Sequence, residues 1–302
     1  MNLKLMKKLC SLDKNKLDTI LTKYLYSKGY KQIRRTKDYI MVEGELPICL
    51  IAHMDTVFKY IPEEFYYDNQ KKVLWSPGGA GFDDRAGIYC ILQIIESGLK
   101  PSVIFTDKEE TGGLGARALI EKFPECPFED CRALIQLDRA YKDDAVFYEC
   151  YNEPFEKYIQ HFGFKLAWGT FSDISIIAPA WKIAAVNLSV GYEDEHTESE
   201  RLHCDWCDNT IKKVKRILIE STDMLSYAYI PYQKGMYSKR RMQGYFYGNN
   251  RCLICNSLIN NPAERVQVKD PDSDIDFPIC NSCFWTYYCD NEQEGDKNSL
   301  TV

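Results

Sequence analysis

Apolar residues recur along the chain in two rhythms. Over residues 14–29, Leu17, Ile20, Leu21, Tyr24 and Leu25 fall three and four apart, and Gly29 follows as a stop signal. That spacing puts an apolar stripe on one face of a helix. A short unbroken apolar run occurs at 46–52, similar apolar runs occur at 103–106, 133–137 and 183–190, and 38–43 reads as a further strand. Such runs, bounded by turn signals, predict strands buried on both faces. Helical periodicity marks 84–97, 113–123, roughly 154–162 and 205–228. Strands alternating with helices predict an α/β domain with a mostly parallel central sheet flanked by helices.

The texture changes after residue 230. Residues 231–251 are rich in Gly, Tyr and Asn, carry Lys239-Arg240-Arg241, and read as a linker. Residues 252–289 hold two Cys-x-x-Cys pairs, and 290–302 are polar and read as a flexible tail. The expected organisation is a main domain over 1–230, a linker, a small cysteine module and a tail.

Composition narrows the class. The 302 residues are 45% hydrophobic and 27% charged, which suits a globular chain with a sizeable core. With 38 Lys+Arg against 44 Asp+Glu the net charge is −6, which disfavours nucleic acid or a membrane surface as partner. No run reaches the ~18–20 apolar residues that span a bilayer. Residues 1–16 have no apolar core of a secretory signal. The 13 cysteines are odd in number and scattered, unlike a disulfide framework. A reduced, cytoplasmic protein is the expectation.

Candidate chemistry follows the buried strands. After 46–52 comes His53-Met-Asp55, after 103–106 comes Glu109-Glu110-Thr-Gly-Gly, after 133–137 comes Asp138, and after 183–190 comes Glu193-Asp-Glu-His196. A helix opens on Gly81-Phe-Asp83-Asp84-Arg-Ala-Gly87. In open α/β sheets ligands bind outside the carboxyl ends of the strands. Each fragment alone has a bland alternative: a helix cap for Asp-Asp, a solvated glycine turn for Glu-Glu-Thr-Gly-Gly. Those alternatives do not explain why all five segments share one edge of the sheet. Imidazoles and carboxylates are good zinc ligands, and two metals roughly 3.5–4 Å apart need a bridging carboxylate and can share one activated water. Asp55 is placed to hold the second imidazole nitrogen of His53. Within Glu109-Glu110, one residue can bind metal while the other acts as general base.

The ordered set His53-x-Asp55, Asp83-Asp84-Arg-Ala-Gly, Glu109-Glu110-Thr-Gly, Asp138, His196-Thr resembles the co-catalytic di-zinc exopeptidases, the superfamily of leucine- and glutamyl-type aminopeptidases, peptidase T and related amino-acid deacylases. The resemblance spans roughly residues 15–228. It implies that His53 and Asp138 hold one zinc, Glu110 and His196 the other, and Asp83 bridges. It further implies Glu109 as general base and Asp55 as the orienting carboxylate. Asp83 is preferred to Asp84 as the bridge because Gly87 then stands at the family spacing. Gly169-Thr-Phe-Ser172-Asp173 looks like the family's substrate-pocket turn, with Ser172 and Asp173 as substrate-binding residues. The alternative is an N-cap for a short helix at 172–177. Many members insert a lid or dimerisation domain. Here only 29 residues (54–82) separate His53 from Asp83 and 57 (139–195) separate Asp138 from His196, so the compact branch is expected.

Cys252-Leu-Ile-Cys255 and Cys280-Asn-Ser-Cys283 lie 24 residues apart (256–279) and predict a four-cysteine zinc ribbon holding one structural Zn2+. A third pair, Cys204-Asp-Trp-Cys207, reads as a loop entering the helix at 208–228. The ribbon is acidic at Asp270, Asp272, Asp274 and Asp276, so a protein partner suits it better than nucleic acid. The expected function is a zinc-dependent exopeptidase with two active-site Zn2+ or other divalent ions, acting on a peptide as an aminopeptidase. The alternative within the same chemistry is a carboxypeptidase or a deacylase of N-acyl amino acids. A catalytically silent zinc-ribbon binding protein is the reading from another class, and it predicts a missing ligand or base, which the sequence does not show.

Overall fold

The computed structural model describes residues 1–231 and the strands Arg265–Lys269 and Asp276–Cys280. The chain divides into one compact unit of Met1–Ala167 with Phe171–Tyr232, and a second of Trp168–Thr170 with Gln233–Val302.

The first unit begins with two helices, α1 (Leu3–Cys10) and α2 (Lys14–Ser27). Strands β1 (Arg34–Arg35), β2 (Tyr39–Val42), β3 (Leu46–His53), β4 (Tyr66–Asp68) and β5 (Val73–Trp75) follow. Helix α3 (Phe82–Glu96), β6 (Pro101–Thr106), α4 (Leu114–Lys122), β7 (Ala133–Arg139) and β8 (Asp144–Val146) come next. The unit ends with α5 (Glu153–His161), β9 (Lys165–Ala167), α6 (Ile174–Trp181), β10 (Ala185–Ser189), β11 (Tyr192–Glu193), β12 (Arg201–His203) and α7 (Cys204–Glu220).

Eight strands form the central sheet in the order β1-β2-β6-β3-β7-β10-β8-β9. Its middle, β6-β3-β7-β10, is parallel, and β2 and β8 run antiparallel to their inner neighbours. The α/β fold with a mostly parallel sheet is as the sequence predicts. Strand β3 shows why its run is unbroken. Ile48, Leu50 and Ala52 join the core under α1, α2, α3, α5 and α7, while Cys49 and Ile51 join the one under α4 and α6. Successive strand residues face opposite sides, and here both sides are covered by helices, so no position is left for a polar residue.

A second sheet, β11-β12-β5-β4, was not legible in the sequence. Its strands are two or three residues long, too short for a period to register. Its β11–β12 hairpin carries residues 194–200.

Several boundaries differ from the expectation. The helix read at 205–228 ends at Glu220, and the chain then makes a 3₁₀ turn over Ser221–Asp223. The apolar residues beyond belong to an extended segment, in which Tyr227 accepts from the Ala184 N–H at 2.8 Å and Ala228 bridges Ile183. Cys204 and Cys207 are not in a loop but in the first turns of α7, buried, and the Cys207 Sγ lies 3.5 Å from the Cys90 Sγ on α3. Helix α1 was missed, though Asn2 caps it and Met6, Leu9 and Cys10 are buried.

In the second unit, β13 (Arg265–Lys269) pairs antiparallel with β14 (Asp276–Cys280). Of the expected ribbon ligands, Cys252, Cys255 and Cys283 lie outside the described residues. No helix among the described residues is long and apolar enough to cross a membrane.

Candidate metal centre

The carboxyl ends of β3 and β7 meet the start of α3, where Asp84 accepts the His53 N–H and Gly87 lies against the Leu137 carbonyl. His53 ends β3, and Asp138 is the next-to-last residue of β7. Glu109 and Glu110 lie in the turn between β6 and α4, and His196 lies in the β11–β12 turn. Asp83 and Asp84 open α3 with non-helical backbone angles, joined by a cis peptide. Asp83 reaches His53 at the end of β3.

Asp83 touches both imidazoles. Its Oδ1 lies 3.0 Å from His53 Nε2 and its Oδ2 lies 3.2 Å from His196 Nε2. Asp138 Oδ1 is 3.3 Å from His53 Nε2, and Glu110 Oε1 is 3.0 Å from His196 Nε2. Two ligand-type groups result, His53-Asp83-Asp138 and Asp83-Glu110-His196, and each has one atom per residue within 4.8 Å of the others. They share Asp83. A third group of the same kind joins His53, Glu109 and Glu110. The donor set of two imidazoles and three carboxylates is what borderline divalent ions such as zinc accept.

Asp84 is occupied otherwise. It is fully buried; its Oδ1 accepts the Gly87 N–H at 2.8 Å and its Oδ2 the His53 N–H at 3.2 Å. Gly87 is required at that spacing: an added Cβ would sit 1.8 Å from the Leu137 carbonyl oxygen and 2.4 Å from Asp84 Oδ1.

Surrounding groups hold the ligands in place. Asp55 Oδ1 lies 3.2 Å from His53 Nδ1. The same carboxylate accepts the backbone N–H groups of Glu109 at 3.1 Å and Glu110 at 3.2 Å, which orients the doublet. Asp138 accepts from Gln136 Nε2 at 2.9 Å and from the Tyr192 hydroxyl at 3.3 Å. Asn187 locks the Asp138 backbone by exchanging two hydrogen bonds with it. Glu200 is fully buried and accepts three backbone N–H groups, from Ala80 at 2.9 Å, Gly81 at 2.7 Å and Asp83 at 3.0 Å. Sequence reasoning missed Gln136, Tyr192, Asn187 and Glu200. The signal for Glu200 was weak, one acidic residue four past His196 in a polar stretch.

Ser172 is fully buried, and its hydroxyl donates to Asp138 Oδ2 at 3.4 Å. Asp173 stands at the N-cap position of α6, yet its side chain makes no capping bond. Its Oδ2 accepts instead from the Thr106 hydroxyl, and among the described residues its buried Oδ1 has no hydrogen-bond partner. Three further acidic residues, Glu193, Asp194 and Asp143, pair with cationic or imidazole side chains. Glu193 binds Arg201 and, at 2.6 Å, His203; Asp194 binds Arg201 at 3.0 Å; Asp143 binds Lys213 at 2.6 Å.

Burial and mutual proximity shift several of these groups. Burial pushes the Glu109 carboxyl up to about 10, with Asp138, Asp173 and Asp83 adding and His53 opposing. Burial likewise lifts Asp138 to about 7, against the pull of His53. Hydrogen bonds that its ring donates to the Asp83 and Glu110 carboxylates raise His196 to about 11. Burial works against a charged His53, but Asp138, Asp55 and Asp83 outweigh it and raise that group too. Titratable groups displaced this far from their ordinary values, clustered at one strand edge, mark a functional site.

No family model matches the chain, and no curated protein matches it by sequence. Solved structures do. The aminopeptidase PepT of Bacillus cereus is similar with a TM-score of 0.61 and 16% identity, over 73% of this chain and 98% of that one. A tripeptidase of Staphylococcus aureus gives 0.61 and 16%, over 74% and 98%. An aminopeptidase of the archaeon Desulfurococcus kamchatkensis gives 0.55 and 14%, over 72% and 94%. The chain therefore has the fold of these peptidases, the fold that its metal-ligand motif leads one to expect.

Proposed function

We propose that the protein is a metal-dependent exopeptidase that removes N-terminal residues from peptides. The observation that carries this reading is Asp83, whose two carboxylate oxygens each face a different imidazole at 3.0 and 3.2 Å. That is the arrangement a bridging ligand needs. His53 and Asp138 would complete one ion's ligands, and Glu110 and His196 the other's. Two divalent ions held there would polarise the scissile carbonyl and activate the attacking water.

The chain's own residues do the rest. Glu109 would take a proton from the attacking water and deliver it to the leaving amine. Burial raises its carboxyl toward the protonated form, and two cations held beside it would favour the carboxylate that a base needs. Asp55 fixes the Glu109 backbone and the His53 ring together. Ser172 supports the pocket through Asp138. Asp173, with one buried oxygen that no described residue binds, is the candidate for contact with the substrate's charged or polar end. The C-terminal cysteines Cys252, Cys255, Cys280 and Cys283 are proposed to hold one structural zinc and to offer a surface to a protein partner.

The test is a metal-dependent assay on three reporter sets: aminoacyl amides with a free N-terminus, N-acyl amino acids, and N-blocked peptides with a free C-terminus. Chelator-sensitive cleavage of the first set supports the reading. Cleavage confined to the second or third set replaces it with the deacylase or carboxypeptidase alternative.

A further inference from the structure

The segment that delivers Asp83 is Pro77-Gly-Gly-Ala-Gly81-Phe82, with Gly78, Gly79 and Gly81 all at positive φ. Glycine at such positions frees the backbone and raises the entropy cost of fixing it. A residue that must split its carboxylate between two imidazoles cannot hang from a loose loop. The structure places one group against that problem. Glu200 sends a fully buried carboxylate into the loop and accepts three of its N–H groups, including the Asp83 N–H itself.

Glu200 also lies in the turn that carries His196. The Glu200 N–H donates to the Thr197 carbonyl at 3.1 Å, and the Thr197 hydroxyl donates to the Asp194 carbonyl at 2.7 Å. His196 sits at φ +62 within this bonded turn. One short turn thus supplies a ligand-type imidazole and the clamp on the shared carboxylate.

We infer that Glu200 is the positioning residue that sets Asp83 between the two ligand groups. This rests on the metal reading above but concerns a residue which touches neither metal nor substrate. A carboxylate offers acceptor sites on both oxygens, whereas a carboxamide turns an NH2 donor toward one set of N–H groups. Glu200→Gln keeps the shape and breaks the clamp.

The experiment measures zinc per chain after dialysis of the full-length protein against buffered free zinc, beside kcat and KM. E200Q is expected to hold at least one zinc fewer than wild type at a free-zinc level that saturates wild type. Its apparent zinc affinity should fall by about 10–100-fold, the range for partners that orient metal ligands. Its kcat should fall with KM within about threefold, and excess zinc should recover part of the loss, because the ligands themselves remain. An E200Q protein with wild-type zinc content and kcat overturns the inference. A wild type with no metal-dependent peptidase activity overturns the functional reading instead. Should E200Q fail to fold, amide exchange on the metal-free wild type decides. Slow exchange at residues 80, 81 and 83 supports the clamp, and exchange there as fast as in the loop at 59–64 overturns it.

Discussion

Asp55 and Glu109 are joined through the backbone. Asp55 Oδ1 accepts the Glu109 N–H at 3.1 Å while lying 3.2 Å from His53 Nδ1. One carboxylate therefore sets the proposed metal-binding ring and the proposed proton carrier at a fixed spacing. Asp55→Ala removes both constraints. A fall of about 10–100-fold in metal affinity or kcat is expected, in the range for such supporting partners. Metal titration and steady-state kinetics of the variant check it, and unchanged values in both would show that Asp55 positions nothing.

Glu109→Gln tests the proton carrier separately from the metals. It cannot exchange a proton at the carboxyl, so kcat should drop about 10²–10⁴-fold. Zinc content should match wild type, since Glu109 belongs to neither group that shares Asp83. Full activity in this variant rules Glu109 out as the base.

The shared carboxylate predicts an asymmetry in metal loss. His196→Ala removes a ligand from one group only and should cost one zinc. Asp83→Asn weakens both groups and should cost two. Elemental analysis after dialysis reads this directly. Equal losses in the two variants contradict a bridge at Asp83.

Gly87 has no room for a side chain. Gly87→Ala drives a Cβ against the Leu137 carbonyl and the Asp84 carboxylate that receives the His53 N–H. The expected cost is about 1–3 kcal/mol from overpacking. It should appear as a lowered melting temperature of the metal-free protein, and an unchanged melt refutes the packing argument.

Glu193 links stability to pH away from the ligands. Its hydrogen bond with His203, and then that with Arg201, hold its carboxyl down to about 2 from an ordinary 4.5. A folded-state value below the unfolded one gives stability that is present above about 4.5 and lost as pH falls toward 2. Metal-free wild type should therefore lose stability over that window, and Glu193→Gln should lose less. Denaturant melts at pH 5 and at about pH 3.5 compare them; parallel losses would mean that the Glu193 contacts contribute nothing.

The chain alone determined the α/β class, the four central strands and the residues of the candidate centre. This was possible because a strand covered on both faces is mostly apolar, so a histidine or carboxylate directly after the run marks the strand end, where the ligand-binding edge lies. His53 and Asp138 were legible for this reason, although the buried Gln136 stands within the run of β7. The choice between Asp83 and Asp84 was legible only through the resemblance, and its physical basis needed the fold. Both carboxylates are buried, and what separates them is that Asp84 is consumed by the His53 and Gly87 N–H groups while Asp83 is left to face two imidazoles. Glu200, Tyr192 and Asn187 were invisible because their partners lie far away in sequence or are backbone groups, which carry no letter. The second sheet escaped because two or three residues cannot express a period. Sequence spacing recorded which groups are candidates for the chemistry, and only tertiary packing decided which oxygen of each faces the centre.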